Sequence, residues 1–214
     1  MSEKIKLDII SDVVCPWCIV GYTHLAAAIA ELGLQDKVEI EWQPFELNPD
    51  MPAEGEELRT HVARKYGSSK ADSDRARETI TQAGAQYGFN FNYFDGMRIV
   101  NTFDAHLLLD YAYQIGKQTE LKMRLFSAFF TERKDVSDRN VLIKEAETVG
   151  ISEAQSHAVF ADDALKSRVK SSISQWQQMG VSGVPTVVFN RESALTGAQP
   201  QETFKQVLQE LTAC

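Results

Sequence analysis

The chain has little of several things, and each shortage narrows its reading. Only three cysteines occur in 214 residues, at positions 15, 18 and 214, too few for the disulfide framework of a small secreted domain. Lys and Arg number 22 against 30 Asp and Glu, a net charge of -8. With no basic cluster there is nothing to meet a phosphate backbone or an anionic bilayer, so neither a nucleic-acid nor a membrane partner is expected. No apolar run is long enough to span a bilayer, and the opening MSEKIKLDIISD is interrupted by Lys6, Asp8 and Asp12, which excludes a secretory hydrophobic segment. A cytoplasmic location is therefore expected. Repeats, low-complexity tracts and linkers rich in Pro, Gly or Ser are missing too, so a second structural unit would be an insertion rather than a tethered neighbour.

What is present divides into two unlike regions. Ile5, Leu7 and Ile9 alternate along KIKLDII, a strand signal, and from Pro16 to about Leu32 the period turns helical, with Gly33 placed where a helix C-cap glycine sits. Val38, Ile40 and Trp42 alternate again up to Pro44, so residues 4–44 read as βαβ. From Glu54 to Met179 only helical segments are found, at about 56–66, 71–87, 101–115, 118–132, 140–149, 153–160 and 163–179. PTVVF at 185–189 is a continuous apolar run suited to a strand covered on both faces, ALT follows it, and Phe204, Val207, Leu208 and Leu211 close the chain as an amphipathic helix. The fold class is α/β, a βαβ…ββα frame formed by residues 1–53 and 180–214, with residues 54–179 as a large all-helical insertion.

The chemistry gathers at DVVCPWCIVG, residues 12–21. A strand running straight into a helix puts Cys15 at the N-cap and Pro16 at the first helical position, where its missing N–H costs nothing. The amides of Trp17 and Cys18 and the positive end of the helix dipole then favour a thiolate at Cys15, whose pKa is expected to fall. Cys18 lies one turn further on, at a Cα spacing of about 5 to 6 Å that a disulfide spans. Three readings of the pair compete: redox chemistry, structural zinc, and an inert pair. Zinc wants four ligands from local pairs, and the remaining Cys214, His24, His61, His106 and His157 are scattered, so no metal or other cofactor is expected.

Other residues carry two readings each. A proline at the mouth of a buried strand suits a cis Val184–Pro185 peptide beside the dithiol, or is an ordinary strand-edge proline. Trp17 is a lid over the pair or a core residue. Asp12, three residues before Cys15, is a proton acceptor for Cys18 or an organiser of the turn. His106 lies in a substrate groove or forms a solvated i,i+4 pair with Asp110. Phe126, Phe129 and Phe130 belong to the core or wall an apolar groove. His24, about 180° around the helix from Cys15, is excluded from the site.

CPWC in a βαβ opening, the helical insertion and GVPTVVF together resemble the DsbA-like branch of the thioredoxin superfamily. SDVVCPWC, PFELNPDMP (44–52), NTFDAH (101–106) and TGAQP (196–200) further resemble its FrnE-type subgroup of dithiol–disulfide oxidoreductases and isomerases. The resemblance implies a thioredoxin-like fold, Cys15 as nucleophile, Cys18 as resolving thiol, and a cis Pro185 abutting them, with Pro16, Trp17 and the Val184 backbone contacting substrate. Expected partners are protein or small-molecule disulfides, with glutathione as possible co-substrate or a thioredoxin-type protein as reductant. Two other classes remain: a glutathione-dependent isomerase or transferase of the kappa or 2-hydroxychromene-2-carboxylate type, whose members carry serine where Cys15 stands, and a non-catalytic peptide-binding holdase.

Overall fold

The computed structural model describes residues 4–213. Cys214, whose role the sequence leaves open, lies outside them. The elements follow in order as β1 (Ile5–Ser11), α1 (Pro16–Glu31), β2 (Val38–Pro44), β3 (Glu56–Glu57), α2 (Leu58–Tyr66), α3 (Lys70–Ala85), β4 (Arg98–Ile99), α4 (Phe103–Gln114) and α5 (Gln118–Phe126). A π-helical turn (Ser127–Thr131), α6 (Arg139–Glu147), α7 (Glu153–Ala161), α8 (Asp163–Gln178), β5 (Thr186–Phe189), β6 (Ser193–Thr196) and α9 (Gln201–Ala213) complete the chain.

The alternating segments pair as their patterns require. The main sheet has the order β2-β1-β5-β6: β1 runs parallel to β2, with Ile5 opposite Val38 and Ser11 opposite Pro44, and antiparallel to β5, with Leu7 opposite Phe189. All four residues of β5 are buried, as a strand covered on both faces must be. Ile10, Phe45, Trp176 and Val188 pack together on one face, beneath α8. The other apolar cluster is continuous from β1 and α1 through α4, α5 and the π-turn to α9. No helix among the described residues is long and apolar enough to cross a membrane.

The βαβ…ββα frame with its helical insertion is present, with two differences inside the insertion. Residues 56–57 and 98–99, expected to be helical or loop, form a two-stranded antiparallel ribbon. Two residues per strand leave no periodic trace in sequence; what fixes the ribbon is backbone approach. A Cβ on Gly55, at φ +68°, would stand 2.4 Å from the Ile99 carbonyl oxygen, so only glycine fits there. The helix expected over 118–132 instead ends at Phe126 and widens into the π-turn, which carries Phe129 and Phe130. Phe126, Phe129 and Phe130 are all buried, as the core reading requires; Phe129 and Phe130 also border a cavity beside Cys15, and Phe126 does not.

The free edge of the sheet is occupied. In β2, the outward Trp42 N–H donates to Gln118 Oε1 at 2.8 Å, and Gln118 Nε2 donates back to the Trp42 carbonyl at 2.9 Å. One amide at the start of α5 thus replaces a neighbouring strand and docks the insertion against the sheet.

Candidate functional site

The dithiol sits where β1 ends and α1 begins. Cys15 is the N-cap residue, with extended backbone angles (φ -94°, ψ 110°), and Pro16 opens the helix. The Cys15 amide donates to Asp12 O at 3.2 Å, closing the turn, and the Cys18 amide to Cys15 O at 3.1 Å. Both thiols are free; Cys15 is 4 % exposed and Cys18 not at all. The Cys15 thiol donates to the Val184 carbonyl at 3.7 Å, and the Val184–Pro185 peptide is cis.

The TGAQP loop holds this arrangement from behind. Gly197 N–H donates to Pro185 O at 2.8 Å, and His24 Nδ1 donates to Gln199 O at 2.8 Å, which turns His24 away from the sulfurs. A Cβ on Gly21 would come within 3.2 Å of both Pro185 Cγ and Ala198 Cα, so a glycine in mid-helix lets α1 lie against the proline loop.

The two sulfurs titrate as a pair, which alters the expectation of a lowered Cys15. Burial pushes the Cys18 thiol up, but the Cys15 thiol and the Ser11 hydroxyl beside it and the charge of Lys122 outweigh it and bring Cys18 below its ordinary value. Cys15 is pushed well up, first by giving its proton to the bond with Cys18, then by burial and by the charge already beside it. The helix amides do favour a Cys15 thiolate, through Cys18 N–H, yet that effect is the smaller one. One proton therefore leaves the pair readily and the other is retained on Cys15, within reach of both Cys18 and the Val184 carbonyl.

Behind Cys18 lies a polar cluster closed off from the groove. Asp12 is 1 % exposed; its Oδ2 accepts from Leu47 N–H at 2.8 Å, whereas Oδ1 has no hydrogen-bond partner and stands 3.5 Å from His106 Nε2. His106 Nε2 donates to the Phe45 carbonyl at 2.9 Å. Burial raises the Asp12 carboxyl, but His106, the Leu47 amide and Lys122 together hold it below its usual value. Burial likewise lowers His106. The solvated His106–Asp110 pair is not formed: His106 turns inward, and Asp110 pairs with Arg168. Nor does His106 border the Cys15 groove; it faces a separate cavity over β2. Glu46, of the PFELN motif, is half-buried, and burial followed by the charge of Asp12 pushes it up to about 7.

Three residues at or beside the site have no counterpart in the sequence reading. Lys122 is 1 % exposed, its Nζ seated 5.2 Å from the Trp42 ring and 5.1 Å from the Phe126 ring. A lysine between Leu121 and Leu125 on a helix apolar on more than one side was the available signal. Lys65 and Arg77 gave no such signal, since lysine and arginine on amphipathic helices are ordinarily solvated.

A cavity of about 390 Å³ opens beside the dithiol. Cys15, Pro16, Trp17 and Val184 all border it, and Cys18 does not. Trp17, 39 % exposed, stands at its edge rather than in the core. Among the described residues no group of three or more His, Cys, Asp or Glu side chains is arranged to hold a metal ion.

Comparison with known proteins agrees with this geometry. The uncharacterised protein YwbO of Bacillus subtilis is 24 % identical over 205 residues, 95 % of this chain and 96 % of its own length. A probable DsbA oxidoreductase from Streptomyces coelicolor superposes with a TM-score of 0.90 at 30 % identity, covering 96 % of this chain and 89 % of that one. The cytosolic disulfide reductase DsbM of Pseudomonas aeruginosa shares the fold, with a TM-score of 0.69 at 18 % identity over 98 % of this chain and all of its own. Residues 6–209 match the model of one family, and the chain belongs to it: the DSBA-like thioredoxin domain family.

Proposed function

We propose that this protein is a thiol–disulfide oxidoreductase in which Cys15 attacks the disulfide of a protein or small molecule and Cys18 resolves the product. The observation that carries this reading is the division of exposure: Cys15 borders an open cavity, while Cys18 is sealed one turn behind it.

In the singly ionised dithiol the remaining proton sits on Cys15 beside the Cys18 thiolate, so Cys15 reaches its thiolate form by passing that proton to Cys18. The Cys15 thiolate attacks one sulfur of the substrate; a new S–S bond forms, the old one breaks, and the leaving thiolate departs with the bonding pair. Cys18 then loses its proton, attacks Cys15 and releases the second thiol. Asp12 receives that proton: it is ionised, buried, and one of its oxygens carries no hydrogen bond. The enzyme ends as a Cys15–Cys18 disulfide and the substrate as two thiols. Glutathione or a thioredoxin-type protein restores the dithiol, in the cytoplasm. This assignment is supported by DsbM, a cytosolic disulfide reductase also solved with glutathione.

The test is capture. Purified protein is expected to reduce insulin in the presence of a thiol reductant and to exchange with glutathione, and a Cys18→Ser variant to accumulate mixed disulfides at Cys15, seen by mass spectrometry. Folded protein that does neither, or a variant that traps nothing, sinks the proposal.

A further inference from the structure

The wall of the Cys15 cavity is chemically one-sided. The chain carries 30 acidic residues against 22 basic ones, yet no Asp or Glu borders this cavity among the described residues, whereas Lys65 and Arg77 do. Neighbouring arginines on the same two helices have carboxylate partners: Arg59 pairs with Asp74, Arg64 with Glu56 and Arg75 with Asp72. Arg77 is the exception. Its guanidinium lies 5.5 Å from the Tyr93 ring and makes no hydrogen bond or ion pair among the described residues. Partial burial and then the charge of Arg59 lower its pKa, although Asp74 and Glu57, neither in contact with it, pull the other way. Lys65, at the rim, donates to two uncharged oxygens, Leu47 O and Asn48 Oδ1, both at 2.8 Å. Most of the remaining lining is apolar or aromatic, Val62, Ile80, Tyr93, Met97 and Phe130 among it, with Asn48, His61 and two serines as its uncharged or Glu56-paired polar groups.

Resting on the oxidoreductase reading, we propose that the substrate of Cys15 is a compact organic disulfide with an apolar, ring-sized body and a carboxylate, the carboxylate held by Arg77 and Lys65. A partly desolvated cation lacking a partner gains most from an anion brought into the same low-dielectric space, and a neutral ligand leaves it unpaired. The volume of about 390 Å³ falls at the small end of ligand pockets and suits such a molecule. The chemistry is a two-electron exchange. The dithiol is oxidised to the Cys15–Cys18 disulfide, the substrate is reduced to two thiols, and a thiol reductant resets the enzyme.

The experiment is single-turnover reduction, by pre-reduced enzyme, of the dithiobis(nitrobenzoate) dicarboxylate and of its neutral dimethyl ester. The two release the same nitrothiophenolate scaffold, bearing a carboxylate in one and its methyl ester in the other, so comparing their rate ratio across variants cancels the difference in intrinsic reactivity; insulin serves as the protein disulfide. Wild type is expected to favour the dicarboxylate, and Arg77→Gln to reduce the ratio of the two rate constants about 10-fold, with Lys65→Gln lowering it less. Arg75→Gln, on the same helix but outside the cavity, leaves the ratio unchanged. A ratio unmoved by Arg77→Gln, or moved equally by Arg75→Gln, overturns the carboxylate site while leaving the oxidoreductase reading intact. If Arg77→Gln impairs insulin reduction as much as that of the dicarboxylate, the cations serve a protein substrate and the small-molecule assignment falls. Wild-type enzyme that reduces none of the three overturns both proposals.

Discussion

The ammonium group of Lys122 is a costly buried charge near the dithiol. It makes no hydrogen bond or ion pair among the described residues, resting instead on the faces of Trp42 and Phe126. Burial drives its pKa down to about 8, although the charges of Cys18, Asp12 and Cys15 pull the other way. A lysine whose folded pKa lies below its unfolded value destabilises the fold fully at pH below the folded pKa, and the burden fades as pH rises through the unfolded value near 10.5. Lys122→Met is therefore expected to stabilise the reduced protein by about 2 kcal/mol at pH 7, after loss of the ring contacts, with the gain gone above about pH 11. The same variant removes the charge that helps draw off the first thiol proton, so alkylation of Cys15 at pH 7 slows severalfold. Urea titrations at the two pH values and iodoacetamide kinetics check both; a variant no more stable at pH 7 shows that the amine is hydrated. At this scale the sequence exposes what is covalent and local. The cysteines, Pro16 and Pro185 are three to a few positions from the features that give them meaning. Lys122 reaches Cys18 only because an inserted helix folds back, and His106 turns inward for the Phe45 carbonyl, a partner no spacing announces.

Gln118 shows how an element is placed by one side chain. Its amide satisfies both the N–H and the carbonyl of Trp42 on the outer side of β2, and the Trp42 indole donates to Thr119 Oγ1 at 3.0 Å. Gln118→Leu keeps the bulk but leaves two buried backbone groups without partners, each worth roughly 1–3 kcal/mol. The expected cost is about 2–4 kcal/mol in urea denaturation, with faster hydrogen exchange at the Trp42 amide. Exchange at that amide unchanged from wild type contradicts the edge-covering role. Elements with a sustained period were legible: α1, α3, α8 and β5 lie within a few residues of their expected limits. The β3/β4 ribbon and the π-turn were not, because each is set by a close tertiary approach over fewer residues than one hydrophobic period needs.

For the molecule as a whole, the decisive question is whether the helical insertion is a unit of its own. Its boundaries are expected at about 54 and 179, where the hydrophobic period changes; the packing across them left no trace in the sequence. Trp42 of the sheet lies 4.8 Å from the Tyr22 ring of α1 and 6.2 Å, edge to face, from Phe126 of α5, so one indole joins frame and insertion. The Cys15 cavity is built from both, with Pro16 and Val184 on one side and Ile80 and Met97 on the other. A shared core of this kind leaves neither part with enough apolar burial of its own, and the two should unfold together. Trp42 and Trp176 both sit at the packing of insertion against sheet, Trp176 against Ile10, Phe45 and Val188, so their fluorescence reports on that shared core, while far-UV circular dichroism is dominated by the helices of the insertion. Fluorescence and dichroism are expected to trace one urea transition with the same midpoint and slope, and a fragment of residues 54–179 expressed alone to lack a cooperative transition. Separated midpoints, with the helical signal outlasting the loss of Trp42 burial, would establish the insertion as an independent domain. Its helices would then form without the sheet, and the groove beside Cys15 would be an interface between two bodies rather than a hollow in one core.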